Sequence, residues 1–142
     1  MNVSITIHGP LQGKGRPRFP RGGGKPYTPE PTRRYEAMIQ GEWLLTHGKR
    51  MDGPLAVRII AYQALPKRAS KLLRAAAERG EIWPIRKPDI DNVIKIALDA
   101  LNGYAYKDDT QIVRIDAEKR YTQYDESRLE ITVGRVDDGH GA

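Results

Sequence analysis

Pro88-Asp89-Ile90-Asp91-Asn92-Val93-Ile94-Lys95-Ile96-Ala97-Leu98-Asp99-Ala100-Leu101, followed by alternating runs near 111–121 and 127–135, is the stretch that decides the fold. Its first part predicts a helix from about Asp91 to Asn102, apolar on most sides through Ile90, Val93, Ile94, Ile96, Ala97, Leu98 and Leu101. A helix apolar almost all round is expected to be largely buried. In the last run Leu129, Ile131 and Val133 alternate with Arg128, Glu130 and Thr132, the period of a half-buried strand. The two runs are expected to form a terminal hairpin through Gln123-Tyr124-Asp125-Glu126.

Working outward, residues 81–88 hold Trp83, Pro84 and Pro88 and read as an irregular link. Before it, Pro66 to about Arg79 predicts a cationic helix with Leu72, Leu73 and Ala76 inward, stopped by Gly80. Its Lys67, Arg68, Lys71, Arg74 and Arg79 read as a solvated face. Pro54 opens a strand whose Leu55, Val57, Ile59 and Ala61 share one side. A helix is expected over about Thr32–His47, with Tyr35, Met38, Ile39, Trp43 and Leu44 on one face and Gly48 at its end. Val3, Ile5 and Ile7 alternate in an opening strand that stops at Gly9-Pro10. Residues 11–26 carry Lys14, Arg16, Arg18, Arg21 and Lys25, five Gly and three Pro but no acid, so they read as an exposed, flexible basic loop. The prediction is α+β: a single domain over 1–136, a mixed β-sheet of about four strands with flanking helices, and a disordered polar tail, 137–142.

The 142 residues suit one domain, and 39% hydrophobic with 30% charged residues is a globular composition. The chain has no cysteine, which excludes disulfides, thiolate zinc sites and cysteine nucleophiles. No run approaches the ~20 apolar residues of a membrane span, and the start lacks a signal-peptide pattern. A cytoplasmic location is the expectation, in a bacterial or phage-infected cell. The net charge is +6, and residues 1–50 hold nine Lys/Arg against three Glu, whereas the rest holds 15 of each sign. All the excess positive charge therefore sits in the first third, which favours a polyanionic partner such as nucleic acid, although solubility alone would also account for it.

Asp91, Lys95 and Asp99 stand at i, i+4 and i+8, a polar stripe on the apolar helix. Helix capping by Asp89 or Asp91, and pairing of Lys95 with a neighbouring acid, would explain part of it. One N-cap does not need four carboxylates, yet Asp108 and Asp109 add two more directly before a strand. Carboxylates without nearby histidine or cysteine suit a hard cation, Mg²⁺ above all. His8, His47 and His140 are scattered and show no zinc spacing. A divalent metal beside a basic loop is what phosphodiester chemistry requires. A nearby lysine can add charge stabilisation.

The segment Pro88 to Lys95, followed by Leu98-Asp99-Ala100-Leu101-Asn102 and Asp108-Asp109-Thr110-Gln111-Ile112-Val113, resembles the signature of the RusA family of Holliday-junction resolvases. Lys14-Gly15-Arg16-Pro17-Arg18-Phe19, Tyr27-Thr28-Pro29 and Tyr35-Glu36 resemble the opening many members share, and the likeness spans roughly residues 3–133. The resemblance implies a small homodimeric, Mg²⁺-dependent crossover junction endodeoxyribonuclease (with Mn²⁺ substituting) that nicks four-way DNA junctions symmetrically, in recombination and repair or in phage DNA processing. It implies Asp89, Asp91 and Asp109 as catalytic metal ligands, with Asp108 as a further candidate, and Lys95 as the essential lysine. Asp99 reads as structural. Lys14, Arg16 and Arg18 are expected to contact phosphates. Arg86 and Lys87 either hold the scissile strand or offset carboxylate repulsion. Phe19, Tyr27 and Tyr104 are candidates for stacking on unpaired bases, or else core aromatics. The strands 55–61 and 129–133 are candidate dimer surfaces. No membrane and no small-molecule cofactor is expected. Two alternatives stand beside this reading: a noncatalytic nucleic-acid-binding protein whose acids are caps and ion pairs, and a Mg²⁺ phosphohydrolase of small nucleotides, which lacks a P-loop here.

Overall fold

The computed structural model describes residues 1–122 and 126–136. The expected tail and most of the 123–126 connection lie outside them. The elements are β1 (Asn2–His8), α1 (Glu30–Thr46), β2 (Leu55–Ala64), α2 (Lys71–Glu78), α3 (Ile90–Leu101), β3 (Ile112–Thr122) and β4 (Arg128–Arg135). One mixed four-stranded sheet has the order β1-β4-β2-β3, with three helices around it.

The expected terminal hairpin does not form. β4 pairs antiparallel with both β1 and β2, and β3 pairs parallel with β2 on its far side. β2 thus separates two strands that are consecutive in sequence. β1, β2 and β4 each bury an alternating stripe, whereas Val113 and Ile115 in the first half of the edge strand β3 are exposed.

One face of the sheet carries Val3, Ile5, Ile7, Leu55, Val57, Ile59, Ala61, Leu129, Ile131 and Val133, all in a single core with α1 and α3. Each large side chain fully buried in this way contributes about 1.5–3 kcal/mol. The alternating residues Leu55, Val57, Ile59, Ala61, Leu129, Ile131 and Val133 therefore fill the chain's own core and are not available as a dimer surface. On α1, Tyr35, Ile39 and Trp43 turn inward with Thr32, but Met38 and Leu44 face solvent, because only a narrow stripe meets α3 and β1.

The second helix is shorter than its sequence suggests. Ser70 caps it by accepting from the Leu73 amide at 3.1 Å, and it buries no residue fully. Leu72, expected inward, is 79% exposed. α3 buries Val93, Ile96, Ala97, Ala100 and Leu101, while Asp91 and Lys95 are exposed. The polar stripe thus runs along the solvent side, and its charges are not desolvated as a largely buried helix would require.

Candidate active site

The head of α3 is fixed from two directions. Asp89 occupies the N-cap position, and its carbonyl accepts the first helical bond from the Val93 amide, but its carboxylate makes no capping bond. Asp91 Oδ1 accepts from the adjacent Asn92 amide at 3.0 Å. Both carboxylates are exposed. Capping, the bland explanation for Asp89, is not what its side chain does. Lys95, one turn on, is exposed and has no ion-pair partner among the described residues.

Against this head lies the start of the basic segment. The Lys14 amide donates to the Asn92 carbonyl at 3.1 Å, and the Gly15 amide donates to Thr32 Oγ1 at 3.1 Å. The approach is too close for side chains: a Cβ at Gly13 would stand 3.1 Å from Asn92 Cβ, and one at Gly15 would stand 2.8 Å from Thr32 Oγ1. Between them opens a cleft of about 400 Å³ lined by Leu11, Lys14, Lys87, Pro88, Asp89 and Asn92, among others. Residues 11–15 are half-buried, whereas Arg16 to Phe19 and Arg21 to Tyr27 are exposed. That outer part is tied into a finger where Arg18 and Tyr27 exchange two backbone bonds of 2.8 Å. Phe19 is 75% exposed and Tyr27 is also exposed, so neither belongs to the core, and Tyr104 is only just exposed.

The remaining acids gather toward the other end of α3. Asp99 lies two turns from Asp91, about 12 Å along the axis. Its carboxylate holds Lys14 Nζ at 3.1 Å, and Glu36 of α1 holds the same ammonium at 2.9 Å. Burial pulls the Lys14 pKa down. Its hydrogen bonds to Glu36 and Asp99, with their charges, more than offset this and leave it above the usual lysine value. Asp109 begins a short 3-10 turn, Asp109–Gln111. A hydrogen bond with Asp108, then partial desolvation, then the charges of Asp108 and Asp99 hold the Asp109 carboxyl above the ordinary carboxylate range. Tyr106, buried beneath, donates to the Leu98 carbonyl at 2.5 Å; burial and then the charges of Asp109 and Asp99 push its phenol up. Gln111 anchors the turn: its Oε1 accepts from the Lys107 amide at 2.9 Å, and its Nε2 donates to the carbonyls of Met51 and Gly53.

The structure places Asp89 and Asp91 two positions apart at the head of α3, with Asp89 on the cleft, and Asp108 and Asp109 together beside Asp99 nearer its end. Among the described residues no group of three or more His, Asp or Glu side chains is close enough to hold a metal ion by itself. Arg16 and Arg18 reach outward from the finger, Lys87 lines the cleft, and Arg86 donates to the Ala64 carbonyl at 2.7 Å. Glu36 appears in the sequence only within the shared Tyr35-Glu36 opening, and its pairing with Lys14 is not visible there because 22 positions separate them. Asp99 carried a visible signal in its i+8 spacing from Asp91.

The RusA family model, described as endodeoxyribonuclease RusA, matches residues 8–134. The chain belongs to the RusA family. The uncharacterized protein YqaN of Bacillus subtilis (strain 168) is 32% identical over 145 aligned positions, covering 94% of this chain and 96% of the Bacillus chain. The match takes in both ends of the acidic helix, the basic finger, β2, β3 and all but the last residue of β4, but only the last residue of β1. A RusA-family chain is thus an endodeoxyribonuclease by descent, with DNA as its partner. Among the described residues no helix is long and apolar enough to cross a membrane.

Proposed function

We propose that this RusA-family protein is a Mg²⁺-dependent endonuclease that resolves four-way DNA junctions by paired symmetric nicks. The observation that carries the reading is the Asp89 carboxylate: it stands at a helix N-cap, caps nothing, and faces a cleft walled by the basic segment. A carboxylate needed only for the helix would accept a bond from the first turn.

The donor set fits a hard cation. It is all carboxylate, and Asp109, hydrogen-bonded to Asp108 and within reach of the charge of Asp99, stands among acids that a divalent ion would neutralise. Asp89 and Asp91 would hold Mg²⁺ at the head of α3, and Asp109 with Asp108 beside Asp99. Mg²⁺ is commonly held by one or two carboxylates together with waters and substrate phosphates, so pairs of acids suit it better than a closed cage would. When bound, it supplies a polarised phosphoryl oxygen and a more acidic attacking water. Exposed Lys95 lies on the same helical stripe and would stabilise charge on the phosphate. Arg16, Arg18 and Lys87 bind the backbone of the junction arms. Arg86 adds its charge beside them, whereas Lys14, its ammonium held by Glu36 and Asp99, anchors the loop instead of reaching for phosphate. Two copies of the chain would supply the two sites that symmetric nicking needs.

The test is cleavage of a synthetic four-way junction against linear duplex of the same sequence, with and without Mg²⁺ and with Mn²⁺ in its place. Junction-selective nicking that needs the metal and is lost in Asp91→Asn, with junction binding retained, is the expected result. Metal-independent binding without nicking would support a noncatalytic DNA-binding protein instead.

A further inference from the structure

The buried stripe of β2 reads Leu55, Val57, Ile59, Ala61 and then Gln63, so its last member is polar. Gln63 is 6% exposed, and its Nε2 donates to the Lys87 carbonyl at 2.7 Å. That bond orients the amide and leaves Gln63 Oε1 buried with no partner among the described residues. An apolar side chain would complete the stripe without an orphaned acceptor, so packing alone does not explain a glutamine here.

On the neighbouring strand Lys119, in register with Ala61, donates through Nζ to the Arg86 carbonyl at 2.6 Å. Arg86 in turn reaches back to the Ala64 carbonyl. Two consecutive carbonyls, 86 and 87, are therefore gripped from two adjacent strands, just before Pro88-Asp89. Downstream, the Asp89 carbonyl is fixed by the Val93 amide. The backbone carrying the Asp89 carboxylate is held on both sides, although residues 81–88 have no regular structure of their own.

We infer that Gln63 and Lys119 are positioning residues that act through the 86–87 backbone to set the Asp89 carboxylate. The inference rests on the reading of Asp89 as a metal-holding carboxylate. Neither side chain touches the reacting atoms; each fixes the main chain from which the ligand projects. Residues of this outer kind typically change metal affinity or activity by about 10–100-fold when removed.

The experiment uses Gln63→Met, which keeps length and removes the donor, with Lys119→Met and Lys119→Arg. Each full-length variant is measured for melting temperature, junction Kd, kcat, and Mn²⁺ affinity by electron paramagnetic resonance. The two Met variants should keep Kd within about twofold of wild type. They should lose about tenfold or more in kcat and bind Mn²⁺ more weakly by a similar factor. Lys119→Arg, which retains a donor, should restore most of both. Unchanged kcat and Mn²⁺ affinity in both Met variants would overturn the inference. So would a kcat loss that merely tracks the melting temperature and is not rescued by Arg. Should Gln63→Met fail to fold, Lys119→Met at the half-exposed strand decides alone. Asp89→Asn in the same assay separates the two levels: if it cleaves normally the reading of Asp89 falls, whereas if it is dead and both Met variants behave as wild type, only the clamp falls.

Discussion

Replacing Lys14 by Met removes the ammonium shared by Glu36 and Asp99 but keeps most of the aliphatic stem. The side chains of Lys14 and Glu36 are 18% and 16% exposed, and that of Asp99 is 34% exposed, so the triad is neither solvated nor sealed. Exposed pairs contribute about 0–1 kcal/mol, and stripping one partner from a buried pair costs about 3–5 kcal/mol. An intermediate loss of about 1–3 kcal/mol is expected, a fall in Tm of roughly 3–10 °C for a domain of this size. Lys14 titrates higher in the folded chain than its ordinary 10.5, so its contribution is complete below 10.5 and fades as pH climbs through the folded value. Urea denaturation of wild type and Lys14→Met across pH 7–11 measures this. The gap should be flat near neutrality and shrink at the alkaline end. A gap below about 0.5 kcal/mol at pH 7 would refute the reasoning, since that is what a solvated pair contributes, and so would a larger one that persists undiminished at pH 11.

Arg16→Ala with Arg18→Ala should weaken binding on all DNA sequences alike and reduce the magnitude of the log–log salt slope by roughly 2; an unchanged slope in a fluorescence-anisotropy titration would remove the finger from the interface. Asp109→Asn should abolish cleavage while leaving Tm at neutral pH equal to or above that of wild type. The neighbouring acids disfavour the Asp109 charge only when it is ionised, so any gain should vanish as pH falls below about 3.8, where both states hold the proton; thermal melts at pH 7 and pH 3 check this. Light scattering should give about twice the 16.0 kDa chain mass, and mixing wild type with Asp91→Asn should yield heterodimers that nick one strand of a junction; a monomer making both cuts in one encounter would exclude the dimeric scheme.

The parts of the fold legible in sequence were those governed by local period. The stripes Val3-Ile5-Ile7, Leu55-Val57-Ile59 and Leu129-Ile131-Val133 announce their strands, and α3 lies within a residue or so of its expected bounds. Strand pairing was not legible. Short separation between β3 and β4 suggests a hairpin, but β4 lies between β1 and β2 instead, a long-range choice that local period does not carry. Inward and outward residues of α1 and α2 were mistaken wherever apolar residues outnumbered the partners available to cover them, as at Leu44 and Leu72. Within the site, the Asp89–Asp91 pair and the Asp108–Asp109 pair stand out as spacings along the chain. The Lys14–Glu36–Asp99 triad and the grip of Gln63 and Lys119 on residues 86–87 do not, because each joins segments far apart in sequence.

The pairing of the first strand with the last shapes how this protein can be made. β1 leaves the ribosome first, but its hydrogen-bonding partner β4 begins some 120 residues later. At translation rates of about 5–20 residues per second, β1 waits roughly 6–24 s for that partner. During this interval Val3, Ile5 and Ile7 have no strand to lie beside, and the edge of β2 that β4 will cover is also open. Nascent chains stalled before residue 128 should accordingly bind holdase chaperones through β1 and the open edge of β2 and release them once β4 has emerged.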